Sequence, residues 1–329
     1  MEIKPALVAH ADWSVAPGKR WLALATLGAG SYHAQAPQKV GDVQTLLYRL
    51  RELAEPASAG LFGVDFPIGL PLAYAGQVGV DDFAALLPAL GHGPWRDFYH
   101  VAERREEITL HRPFYPYRPG GTKQPHLLHA LGVPSANDLR RRCDLAQPGR
   151  RAAAPLFWTI GPQQVGKAAI SGWRDLLAPG LAGGDLVLWP FEGLLADLLG
   201  SGRIVLAETY PAECYRHLGV RFSSPRAGAL SGKRVQVQRS ANALLLLRWA
   251  DENGVNLDPE LSAAIEDGFG DSRNGEDRFD AVVGLFGLLN IVLGRRPPGD
   301  PIDPTVRRIE GWILGQLEGG EKDGPNEPQ

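Results

Sequence analysis

The chain has 329 residues, a net charge of −3, 44% hydrophobic residues and 22% charged residues. These proportions exclude a disordered chain, and no apolar run approaches the ~18 residues a membrane span needs, so a globular protein without a membrane partner is expected. Two cysteines, Cys143 and Cys214, are too few for a disulfide framework or a cysteine-based zinc site.

The opening MEIKPALVAH lacks the basic and apolar regions of a secretory signal, which points to a cytoplasmic location. ALVAHAD (Ala6–Asp12) and RWLALATL (Arg20–Leu27), joined by the turn-like SVAPGK, read as a β-hairpin whose first strand ends on an acid. DVQTLLYRLRELA (Asp42–Ala54) has Val43, Leu46, Leu47, Leu50 and Leu53 at helical spacing behind an Asp42 cap. GLFGVDFPIGLP (Gly60–Pro71) reads as a strand ending on Asp65 and stopped by Pro67. Regular order then lapses. Residues 74–184 read as a large, partly helical insertion, and from Gly91 to Gly180 it carries thirteen Lys and Arg against seven Asp and Glu. That local excess of +6 leaves −9 for the rest of the chain, an asymmetry that suits an anionic partner or a solvated basic surface.

Strands resume with DLVLWPFEG (Asp185–Gly193) and RIVLAETYP (Arg203–Pro211), the second ending on Glu208. Helices follow over Ser240–Gly254, Asp258–Gly270 and about Gly275–Leu293, and RIEGWILG (Arg308–Gly315) closes the domain. The expected organisation is an α/β core from residues 1–73 and 185–318, a basic insertion at 74–184, and a disordered tail at 319–329.

The last long helix opens with Glu276, Asp277 and Asp280 on one face. Capping and dipole complementarity explain acids there; so does a divalent cation site. Asp12, Asp65 and Glu208 each end an apolar strand, and strand ends converge at ligand sites in open α/β sheets. Singly, Asp12 or Asp65 also suits a turn. Carboxylates about 5 Å apart repel by roughly 3 kcal/mol at an effective dielectric near 20, so such a cluster calls for cations or raised pKa values. Two Mg2+ or Mn2+ ions there would activate water and stabilise a phosphodiester leaving group.

The segments AHADWS, GVDFPIGLP, WPFEG, AETYPAECY, EDRFDAVVG and EGWILG, in this order, resemble the domain of unknown function four-two-nine family, described as predicted nucleases with a ribonuclease H-like fold. The resemblance implies a ribonuclease H-like mixed central sheet with flanking helices and a large insertion, and metal-dependent hydrolysis of nucleic acid, RNA or DNA. By it, Asp12, Asp65, Glu208 and Asp277 or Asp280 would be metal ligands, Asp280 resembling the acid of the "DA" pair in Holliday-junction resolvases. Trp13 departs from the small residue that often follows the first-strand acid in ribonuclease H-like enzymes.

Other motifs compete. GPQQVGKA (Gly161–Ala168) sits in a P-loop context, but Ala168 replaces the hydroxyl residue; Lys167 is retained as a candidate phosphate contact. HRPFYPYRPGGTK interleaves Arg112, Arg118 and Lys123 with Phe114, Tyr115 and Tyr117, a pattern that serves single-stranded nucleic acid or pins a loop to the body. The alternatives are an ATP-dependent phosphotransferase of the actin-like fold and a non-catalytic nucleic-acid-binding protein.

Overall fold

The computed structural model describes residues 4–54, 58–147, 150–161, 165–223, 232–272 and 274–318. The tail from 319, and residues 162–164 of the P-loop-like segment, lie outside the described residues. No described helix is long and apolar enough to cross a membrane. The chain divides into two compact units, one of residues 1–66 and 179–297, the other of 67–178 and 298 onward.

The first unit is built on a mixed eight-stranded sheet flanked by helices, an α/β architecture. β1 (Leu7–Asp12) pairs antiparallel with β2 (Trp21–Gly28), which pairs antiparallel with β3 (Ser31–Ala34) and with the two-residue β4 (Gln38–Lys39). On its other side β1 runs parallel to β5 (Gly60–Val64). β6 (Leu186–Leu188) and β7 (Ile204–Glu208) continue the parallel half, and β8 (Val255–Leu257) adds to the far edge beside β3. The sheet order is therefore β6-β7-β5-β1-β2-β3-β8. β1 and β5 read as continuous apolar runs because both are central and covered on both faces.

The helices of this unit include α1 (Leu46–Leu53), α2 (Pro211–Leu218), α3 (Ala243–Glu252), α4 (Pro259–Glu266) and α5 (Asn274–Val292). α5 is buried on nearly its whole circumference, which is why its sequence is apolar all round instead of amphipathic. One side lies on β1 and β2 and another meets α2. Trp249 of α3 stacks on Phe286 at 4.6 Å. Glycines allow the close approach: a Cβ at Gly284 would lie 2.2 Å from the His10 ring, and one at Gly287 would lie 2.3 Å from Cys214 Sγ.

The elements differ from their sequence expectation in extent. The strands at Gly60 and Asp185 are shorter than their apolar runs, ending at Val64 and Leu188 before Pro67 and Pro190. β3, β4 and β8 are short strands of two to four residues that the apolar pattern does not announce. The segment from 298 groups with the second compact unit, which begins at Pro67.

The second unit is made of short helices and turns around an aromatic centre of Phe83, Phe98, Phe114, Phe157 and Trp173, all fully buried. Phe114 packs edge-on against Phe157 at 5.1 Å. Arg141, fully buried, is satisfied by Asp144 at 2.8 Å and 3.0 Å and by the Ile68 carbonyl at 2.8 Å, so this cation is a structural tie.

Candidate active site

The site forms where β1 and β5 end beneath the first turns of α5. Pairing sets which side chains meet. Ala11 of β1 pairs with Val64 of β5, so Asp12 and Asp65, one residue on, leave the sheet side by side. His10, two residues before Asp12, faces α5: its Nδ1 lies 3.1 Å from the Ala281 carbonyl and its Nε2 2.8 Å from Thr209 Oγ1. A carbonyl only accepts, so Nδ1 carries the proton and Nε2 accepts from the threonine hydroxyl. Burial pushes the His10 pKa down to about 3, against the smaller opposing effect of the Ala281 contact, so the ring is neutral. Alternation along β1 gives Asp12 the same α5-facing side as His10.

Asp65 Oδ1 accepts from the Trp13 amide at 2.6 Å. Burial, the dominant cause, together with Asp280, raises the Asp65 pKa to about 7 despite the Trp13 amide, a hydrogen bond with Asp12, and Lys233. Asp12 is held well above the usual carboxylate range by burial, then by Asp65, Asp280 and Asp277, with Lys233 opposing. Burial and mutual repulsion both favour holding a proton on the Asp12 and Asp65 pair.

α5 supplies the other acids. Asp280 Oδ2 accepts from Lys233 Nζ at 2.8 Å, and its Oδ1 accepts from the Tyr215 hydroxyl. Lys233 also reaches Glu276 at 3.0 Å, and Arg234 lies 3.4 Å from the same carboxylate. Burial alone would lower the Lys233 pKa, but Asp280 and Glu276 outweigh it and hold the ammonium above its ordinary value. The Lys233 backbone is tied down by Arg239, whose guanidinium donates to the carbonyls of Lys233 at 2.7 Å, Gly268 at 2.8 Å and Gly270 at 2.6 Å. Asp277 is raised to about 6 by burial, Glu276 and Asp280, with Lys19 and Lys233 opposing.

The structure thus brings Asp12, Asp65, Asp277 and Asp280 into one electrostatic cluster on one face of the sheet. Glu208 falls elsewhere. It pairs with Val64, and through Val64 with Ala11, so it shares their face, whereas its neighbour Thr209 takes the α5 side and bonds His10. Strand alternation puts Glu208 on the sheet face opposite His10 and Asp12. The expected substrate-binding residues lie in the second unit. Arg112 is bound by Glu107 at 3.3 Å and by the carbonyls of His100 and Val101, both at 3.2 Å. Arg118 lies 3.9 Å from Glu103, and Lys167 donates to the Tyr117 carbonyl at 3.5 Å. Phe114 and Tyr115 are buried, leaving Tyr117 as the exposed ring of the three, so this stretch pins a loop and is not an open stacking platform. Lys123 precedes the helix Gln124–Ala130.

Sequence reasoning missed Lys233, Tyr215 and Arg239. Lys233 and Asp280 are 47 residues apart, and SGKR carries no periodic signal that announces an ion pair.

All-oxygen donors, Asp280 buried and the other three half-buried beside it, are the chemistry that Mg2+ or Mn2+ takes. The cage is not preassembled: among the described residues no group of three or more His, Cys, Asp or Glu is arranged to hold a metal ion, and Lys233 supplies the positive charge instead. Comparison of the chain with protein-family models, with curated proteins and with solved structures returned no match.

Proposed function

We propose that the protein is a divalent-cation-dependent phosphodiesterase acting on nucleic acid, built on a ribonuclease H-like sheet. The observation that carries this reading is the cluster of Asp12, Asp65, Asp277 and Asp280, in which each of the first three is pushed up by Asp280. Acids that destabilise one another in a partly desolvated cluster mark a place where a cation or a proton is to be bound. The sheet supports the fold: an antiparallel β1-β2-β3 meander with parallel β5 and β7 beside β1, followed by a helix whose acids return to the β1 end.

Asp12, Asp65 and Asp280 would hold the cation, with Asp277 as a further ligand or as an acceptor orienting a bound water. A divalent ion in that position lowers the pKa of a bound water and offsets charge on the phosphodiester. The chain's own residues prepare for this. Asp12 and Asp65, both pushed up above the usual carboxylate range, would have to be deprotonated to hold the ion. Tyr215 donates to one Asp280 oxygen and so fixes the direction of the other. Lys233, released from Asp280, retains a positive charge for the scissile phosphate.

The test is thermal melting of the wild type, Asp12→Asn and Asp280→Asn against Mn2+ and Mg2+, with cleavage of mixed labelled oligonucleotides in parallel. Stabilisation and cleavage that both disappear in the two variants support the proposal. A wild type that neither gains stability nor cleaves, with asparagine variants that melt higher, refutes it; salt-sensitive binding without metal dependence would instead favour a non-catalytic nucleic-acid-binding protein.

A further inference from the structure

The strand register aligns three side chains of different chemistry in one row. Asp12 of β1 is opposite Trp21 of β2, and Trp21 is opposite Lys39 of β4. Residues directly opposite share a face. The row therefore runs acid, indole, ammonium under the first turn of α5, and α5 adds Arg278, whose guanidinium carbon lies 4.5 Å from the centre of the Trp21 ring. Lys39 Nζ lies 3.8 Å from the same ring and donates to the Gly18 carbonyl.

Two donors in this row lack an acceptor. Trp21 is 5% exposed, yet its indole N–H is buried with no partner among the described residues. Arg278 Nε is likewise buried without a partner. Burying an unsatisfied donor costs free energy, and a guanidinium with no acceptor costs more than a neutral group. Arg278 follows Asp277 directly, yet no ion pair joins it to a described carboxylate, whereas Lys233 and Arg234 both find Glu276. A cation held against an indole, one strand from an acid cluster and bonded to none of its acids, is matched to an anion from outside the chain.

We propose that Trp21, Lys39 and Arg278 form a phosphate-binding subsite beside the carboxylate cluster, which receives a backbone phosphate of the nucleic-acid strand next to the one being cut. The identity of the anion rests on the phosphodiesterase reading; the subsite itself rests on the row and its orphaned donors. Trp21 positions the two cations. Arg278 and Lys39 make the contact. Both donors are buried in the free protein, so a phosphate oxygen accepts from Arg278 Nε and from the indole N–H only as the Arg278 side chain shifts on the ring during binding. Sequence preference is not expected, because phosphate contacts fix register and carry no base information.

The experiment is fluorescence anisotropy with a short labelled single-stranded oligonucleotide in EDTA, across a salt series, on the full chain. It compares the wild type with Arg278→Gln, Lys39→Gln and Trp21→Phe, and with Arg203→Gln as a variant of equal charge change at an exposed position away from the row. Melting temperatures verify that each variant is folded. Expected are weaker binding in the first three, and a slope of log affinity against log salt that falls by about 1 for Arg278→Gln and for Lys39→Gln, with Arg203→Gln unchanged. Trp21→Phe keeps the ring but loses the N–H, so weakened binding there supports the indole contact. Inorganic phosphate is the second arm: displacement of the oligonucleotide only at millimolar phosphate supports a polymer phosphate, and displacement at micromolar phosphate overturns the strand assignment in favour of a free phosphate ligand. If folded Arg278→Gln and Lys39→Gln bind as Arg203→Gln does, the subsite is refuted. Failure of the phosphodiesterase reading is separate: it appears as metal-independent binding without cleavage, and leaves the variant pattern in EDTA intact.

Discussion

Lys233 and Asp280 stand 2.8 Å apart, and the same ammonium lies 3.0 Å from Glu276, so one internal cation bridges two acids of the last helix. This pair balances charge without metal and has to open for Asp280 to ligate one. Replacing Lys233 with methionine is expected to cost about 1–2 kcal/mol of metal-free stability, the lysine being partly exposed and Asp280 buried. Mn2+ should then raise the melting temperature more in the variant than in the wild type, because nothing competes for Asp280. A smaller metal response in Lys233→Met would mean that the lysine assists binding instead of opposing it.

Burial, with Asp280 beside it, pushes the Asp65 carboxyl up to about 7, against an ordinary value near 4. Its folded state therefore holds the proton more tightly than its unfolded state, so stability declines as pH rises through that window and is greatest below it. Asp65→Asn removes the ionisable group and should flatten this decline, adding on the order of 2 kcal/mol at pH 8 without metal. Chemical denaturation of both proteins at pH 5 and pH 8 measures it; equal pH slopes would refute the held-proton account. Metal binding should release protons near pH 7, seen as a buffer-dependent heat in calorimetry.

Gly284 leaves no room for a side chain, a Cβ there falling 2.2 Å from the His10 ring. Gly284→Ala is expected to destabilise by about 2–3 kcal/mol through overpacking. His10→Ala should also destabilise, but the double variant should be more stable than the sum of the two losses, since the clash vanishes with the ring. Additive losses in denaturant melts would place the strain elsewhere.

Glu208→Gln should leave the Mn2+-induced stabilisation unchanged, in contrast to Asp12→Asn and Asp280→Asn. The reason is the register that pairs Glu208 with Val64 and turns its side chain to the other face. A lost metal response in Glu208→Gln would return this residue to the site.

Much of this arrangement is legible in the sequence because it follows from short-range pattern. Asp12 and Asp65 stand where apolar runs stop, and the three- and four-residue spacing of Glu276, Asp277 and Asp280 puts them on one helical face. Glu208 has the same signature as Asp65 and yet faces the other way. Termination of a strand shows in composition, but the face of its last residue depends on pairing with a neighbour 144 residues away. Lys233, Trp21 and Arg278 were hidden for the same reason: a lysine in a turn, a tryptophan in an apolar strand and an arginine in a helix look ordinary until register and packing place them. The insertion misled by composition. Its arginines are numerous, but Arg141 and Arg112 are consumed by local acids and carbonyls.

The glycine notch that seats α5 on His10 lies one helical turn from Asp280, about 6 Å along the axis. A rigid helix cannot slide at one end only, so the depth at which an imidazole fits against a bare Cα also sets how far the acids of the first turn overhang the strand ends. The spacing between carboxylates of sheet and helix is thereby gauged by an uncharged contact in the interior. If the proposed cation site is real, changes at residues 10, 209 or 284 would shift its preference among ions of different radius while leaving Asp12, Asp65 and Asp280 in place.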